Sequence, residues 1–99
     1  MRFGEHIRQL REKKNLLLRH LASDLDIDTA MMSKIERSER KAKRELIPQL
    51  AKLLNTSVTE LQTLYMADQI IELIDDEENP QDILNAAEKE INQIKKQDS

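Results

Sequence analysis

The stretch Leu18-Arg19-His20-Leu21-Ala22-Ser23-Asp24-Leu25-Asp26-Ile27-Asp28-Thr29-Ala30-Met31-Met32-Ser33-Lys34-Ile35-Glu36-Arg37 decides the fold. Leu18, Leu21, Ala22 and Leu25 recur at helical spacing, and Met32 and Ile35 do so again beyond Asp28, which reads as the N-cap of a second helix. Between the two patterns lie Asp26 and Ile27, enough for a tight turn with one apolar side chain plugged inward. Two short helices joined in this way at a steep angle make a helix-turn-helix unit.

The flanks read as helical too. Phe3, Ile7 and Leu10 share one face of a helix over residues 2–14. A further helix over residues 45–54 turns Leu46, Leu50, Leu53 and Leu54 inward, with Pro48 in its first turn, where the missing N–H costs nothing. Asn55 stops it. Ser57-Val58-Thr59-Glu60 has the capping-box pattern, so a fifth helix starts there, with Val58, Leu61, Leu64 and Tyr65 expected to complete the core. Residues 1–65 thus form one domain and residues 66–99 a helical extension. In the extension the fifth helix continues through Ile70, Ile71 and Ile74 to the acidic run Asp75-Asp76-Glu77-Glu78. Asn79-Pro80 then restarts a helix, with Asn79 as N-cap, that carries the stripe Ile83, Leu84, Ala87, Ile91 and Ile94. That stripe needs a partner. Because the core looks complete without it, the favoured partner is a second copy of the chain, a homodimer formed by helix five and the last helix, with docking on the chain's own core as the alternative.

Composition and charge agree with this reading. One Gly, two Pro, one Phe and one Tyr among 99 residues leave little material for sheets, and the absence of Cys removes disulfides and thiolate chemistry. Residues 1–44 hold twelve Lys/Arg against seven acids, a net +5, whereas residues 45–99 hold four against twelve, a net −8. A basic half can dock on phosphates while an acidic tail faces away. Nothing resembles a Gly-rich phosphate loop, an HExxH pair or a carboxylate dyad, so catalysis, cofactors and metals are not expected, and the lone His20 has no second ligand at metal spacing. The start lacks the look of a signal peptide, and no apolar run is long enough to span a membrane; a cytoplasmic location is the expectation.

The pattern Leu21-Ala22-x-x-Leu25-x-Ile27, then Ser33-x-Ile35-Glu36-Arg37, is similar to the XRE (phage-repressor-like) family of DNA-binding domains, over about residues 10–61. The resemblance implies an all-α, five-helix lambda-repressor-like domain, here with an additional C-terminal helix. It implies a regulator that binds an inverted-repeat site in double-stranded DNA as a homodimer. It also implies that Arg11 pairs with Glu36 as a structural ion pair. Asn15, Asp26 and Ser38 stand where the family prefers Gly; Asn and Asp tolerate left-handed geometry, and Ser38 would pay on the order of 1 kcal/mol for it. Leu17-Leu18 replaces the family's Thr-Gln and can neither cap nor touch a phosphate.

The third helix, over residues 29–37, is the candidate recognition helix. Met32 and Ile35 face the core, leaving Thr29, Ala30, Met31, Ser33 and Lys34 for a major groove wide enough to admit a helix. Thr29 and Ser33 can bond base edges or phosphates, Lys34 can reach guanine O6/N7, and Ala30 or Met31 can pack on thymine methyls. For Met31, plain core packing is an equal reading. Arg19 serves equally as a phosphate contact or a solvated surface residue. Five of the eight residues from Arg37 to Arg44 are cationic, and such a flexible basic loop suits phosphate clamping by Arg37, Arg40, Lys41 and Lys43. Arg44 matches the place from which phage repressors send an arginine into the minor groove. The same resemblance raises contact between Asp24, Asp26 and RNA polymerase. The run from Asp28 to Arg37 with Glu39-Arg40-Lys41-Ala42 looks like controller-type regulators of restriction–modification genes. A rival reading is an antitoxin-like module whose C-terminal helices wrap a protein partner.

Overall fold

The computed structural model describes residues 1–98. It consists of α1 (Phe3–Lys13), α2 (Leu18–Asp24), α3 (Thr29–Glu36), a 3-10 turn (Arg44–Leu46), α4 (Ile47–Leu54), α5 (Val58–Ile74) and α6 (Pro80–Gln97). No strand occurs among the described residues. The fold is all-α, with a five-helix domain followed by an additional C-terminal helix.

Helices α1 to α4 stop by one device. After α1 the N–H of Leu16 reaches the carbonyl of Arg11 and that of Asn15 reaches Glu12, and the same pair of bonds recurs after α2, α3 and α4. Each is a Schellman turn, which needs one residue with positive φ. Asn15 (φ 57°), Asp26 (57°), Ser38 (61°) and Asn55 (55°) occupy those places, so the chain ends its helices without glycine. The bond from the N–H of Ile27 to the carbonyl of Ala22 turns the chain from α2 into α3, and Ile27 packs partly buried against the core.

The single glycine answers a different demand. A Cβ on Gly4 would lie 2.1 Å from the carbonyl oxygen of Ile35 and 2.8 Å from that of Glu36. α1 therefore approaches the end of α3 more closely than any side chain allows. Ile7, Leu21, Met32, Ile47, Leu50 and Leu61 are the fully buried side chains at the centre, each worth roughly 1.5–3 kcal/mol of transfer free energy. Phe3 and Tyr65 meet edge-to-face with centroids 5.4 Å apart.

Several expectations are corrected. The helix expected from residue 45 begins as a 3-10 turn and becomes α-helical at Ile47, which is fully buried, while Leu46 and Leu53 are only half-buried. Val58 is exposed, because it occupies the first turn of α5, outside the core contact made by Leu61 and Tyr65. Asn79 precedes α6 but makes no side-chain cap; its φ and ψ of −130° and 66° lie outside the usual N-cap region.

The chain divides into two compact units, residues 1–68 and the segment from Gln69 onward. In the second, Ile74 is buried within its own chain, whereas Ile70, Ile71, Ile83, Leu84, Ala87, Ile91 and Ile94 remain exposed, as does Leu73. Ile74 is thus withdrawn from the apolar surface that the spacing assigned to an interface. No helix among the described residues is long and apolar enough to cross a membrane.

Candidate nucleic-acid interface

α3 is fixed from both ends. At its start the Asp28 carboxylate accepts the Met31 N–H at 2.7 Å, satisfying one orphan donor and placing negative charge at the positive end of the dipole. At its end Glu36 is buried, and its two carboxylate oxygens accept from Arg11 Nε at 2.8 Å and Nη2 at 3.1 Å. Arg11 Nη1 donates onward to the Leu16 carbonyl at 2.8 Å. The fork from Glu36, opposed by burial, raises the Arg11 pKa still further, so the guanidinium stays charged. One bidentate pair thereby ties α1, the turn after it and α3 together.

With Met32, Ile35 and Glu36 turned inward, α3 leaves Thr29, Ala30 and Lys34 exposed and Ser33 half-exposed. Met31 is half-buried and packs against the core, the alternative its position on the helix left open.

The basic loop is anchored in its middle. Ala42 is buried, and its carbonyl accepts the Tyr65 hydroxyl at 2.7 Å. Lys41 and Lys43 flank this anchor, and with Arg40 and Arg44 they are exposed. A loop pinned in this manner differs from the flexible one that its composition suggests. Arg37 turns back, with Nη2 3.2 Å from Glu39 and Nε donating to the Ser33 carbonyl at 3.4 Å, which partly neutralises it. None of Arg19, Lys34, Arg40, Lys41, Lys43 and Arg44 forms an ion pair among the described residues.

Between the turn and this loop runs a cleft of about 480 Å³, bordered by Asp26, Asp28 and Met31 on one side and by Arg40, Lys41 and Lys43 on the other. It brings the start of α3 and the cationic loop to one site. Arg19, on α2, does not border it. Asp24 and Asp26 are exposed. No group of three or more His, Cys, Asp or Glu able to hold a metal occurs among the described residues.

A short exposed helix capped by Asp28, set on α2 through a left-handed Asp26 and followed by an anchored cationic loop, is the arrangement of one known module. A family model described as a helix-turn-helix domain matches residues 2–64. The chain belongs to this helix-turn-helix family. No curated protein and no solved structure matches it. The match agrees with the XRE-like resemblance, and membership makes the protein a DNA-binding regulator of a typically non-enzymatic class.

Three ties in this helix-turn-helix domain escaped the sequence reading. Arg2 offers no side-chain cap to α1; instead Asp68, on α5, accepts the Phe3 N–H at 3.2 Å and Arg2 Nε at 2.7 Å. Glu60 accepts the Thr56 hydroxyl and lies 3.6 Å from His6, whose buried Nε2 has no hydrogen-bond partner. Tyr65 holds Ala42. Thr56–Glu60 spans four residues, beside the expected cap in which the Glu60 N–H donates to Ser57 Oγ at 3.0 Å; the other contacts join residues far apart in the chain, and no local pattern encodes them.

Proposed function

We propose that the protein regulates transcription as a homodimer on an inverted-repeat operator, with two copies of α3 in successive major grooves about 34 Å apart. Thr29, Ala30, Ser33 and Lys34 read bases, with Met31 contributing through its exposed edge. Arg19, Arg37, Arg40, Lys41 and Lys43 contact phosphates, and Arg44 enters the minor groove. The observation that carries this reading is the cleft, where the start of α3 faces unpaired Arg40, Lys41 and Lys43. Lacking Gln, Asn and Arg forks, α3 would draw part of its specificity from methyl contacts and DNA shape.

For dimerisation, the support is apolar surface left in water on the segment from Gln69 onward: Ile70, Ile71, Ile83, Leu84, Ala87, Ile91 and Ile94. The domains we assign are residues 1–65 for DNA and 66–99 for association. The same stripe suits a foreign protein in the antitoxin-like reading, and a chain that sediments as a monomer at micromolar concentration would favour it. The likeness of residues 28–42 to controller-type regulators points to restriction–modification genes, with Asp24 and Asp26 facing RNA polymerase.

Footprinting on the DNA upstream of the protein's own coding sequence tests the proposal, with protection expected on two symmetric half-sites. Lys34→Ala should relax preference at one base position, whereas Lys41→Ala should weaken all duplexes alike and reduce the salt slope by about one. Unchanged affinity in both variants would refute these roles.

A further inference from the structure

The loop carrying Arg40, Lys41 and Lys43 is held in an unusual manner. Its backbone is tied at the two ends, by the N–H groups of Ser38 and Glu39 to the carbonyls of Ile35 and Lys34, and by the N–H of Leu46 to that of Lys43. Between those ends, the Tyr65 hydroxyl on the Ala42 carbonyl is the loop's one hydrogen bond to a distant helix among the described residues. On the side of α3 the loop borders the open cleft, while the Ala42 side chain is buried in the core. Tyr65 is not among the residues lining that cleft, and its hydroxyl reaches the Ala42 carbonyl at 2.7 Å.

We propose that Tyr65 is a positioning residue of the DNA interface, its hydroxyl holding Ala42 so that Lys41 and Lys43 stand as a preset phosphate clamp. The inference rests on the DNA-binding reading of this loop and names the part that makes it effective. A cationic loop free to move loses conformational entropy when it settles on a phosphate backbone, and that loss is subtracted from affinity. Fixing the midpoint in advance removes most of the loss while leaving both ammonium groups in solvent. Tyr65 is suited to the task. Its ring is set edge-on to Phe3 at an interplanar angle of 79°, and only its hydroxyl oxygen is needed to reach the loop. Burial, helped by Glu45, raises its pKa, so the hydroxyl remains a donor at neutral pH.

Tyr65→Phe removes that oxygen and keeps the ring. Binding is measured by fluorescence anisotropy over a salt series, on a duplex from the upstream DNA and on a mixed-sequence duplex of equal length. We expect affinity for both to fall about five- to tenfold, with the salt slope unchanged because the number of phosphates neutralised is the same. Amide exchange at residues 40–44 should accelerate. A lower melting temperature with unchanged affinity would make Tyr65 merely structural and overturn the inference. If the wild-type chain binds neither duplex, the DNA reading itself fails. Should Tyr65→Phe fold too poorly to titrate, Ala42→Gly loosens the same point from the loop's side and must show the same weakening at constant slope. Unaltered binding by that variant overturns the inference equally.

Discussion

α4 and α6 carry the same kind of apolar stripe and meet opposite fates. In α4, Ile47, Leu50, Ala51 and Leu54 are each 3 % exposed or less. In α6 no residue is buried, and Ile91 and Ile94 are about half exposed. Amphipathic spacing shows that a helix needs an apolar partner; it does not show which surface provides it. For α4 the partner is the domain's own core. For α6 no residue is buried, and the dimer we propose would supply its partner.

Leu50→Ala puts the α4 half of the comparison under the heaviest load. It should cost about 2–5 kcal/mol in urea unfolding, independent of protein concentration, because it opens a cavity in a core that cannot collapse fully. Gly4→Ala comes next, at about 1–3 kcal/mol or more, since the new methyl must push α1 away from the Ile35 carbonyl. A thermal melt indistinguishable from wild type would show that α1 slides without penalty. Ile91→Ala sharpens the contrast with α4. At low concentration it should change stability by less than about 0.5 kcal/mol, as exposed sites do, while sedimentation reveals a weaker dimer. A cost equal to that of Leu50→Ala at every concentration would place the α6 stripe against its own chain. The smallest effect is expected at Glu60, whose pKa is lowered by the Thr56 hydroxyl, with a lesser contribution from His6. A carboxylate with a depressed folded pKa adds stability above its unfolded value, and that stability is lost as pH falls through the lowered one. The acid limb of the stability curve should therefore flatten slightly in Glu60→Gln, as read by urea midpoints below pH 4.5.

Much of the site was legible because its signals are short-range. Asp28 as a cap, Asp26 as the left-handed turn residue and the Met32–Ile35 face of α3 all lie within a few residues of the atoms they serve. Ser38 takes positive φ without glycine, and both Schellman bonds still form after α3. The reading was incomplete where a side chain's neighbours come from elsewhere. Met31 lies at the edge of the recognition face, and only the arrangement of the core drew it inward. Ile47 lay outside the expected inward set of Leu46, Leu50, Leu53 and Leu54, yet it is fully buried where the 3-10 turn gives way to α4.

By itself, the sequence determined six helices, their stops, the tight turn before α3 and the separation of a basic half from an acidic one, since each follows from spacing or from backbone preference within one or two turns. Tertiary structure alone decided that Gly4 lies under the end of α3, that Asp68 caps α1 from 65 residues away, and that Tyr65 pins the cationic loop. Those contacts depend on where remote segments come to rest. That placement is governed by the packing of the whole core, and no window of neighbouring residues contains it.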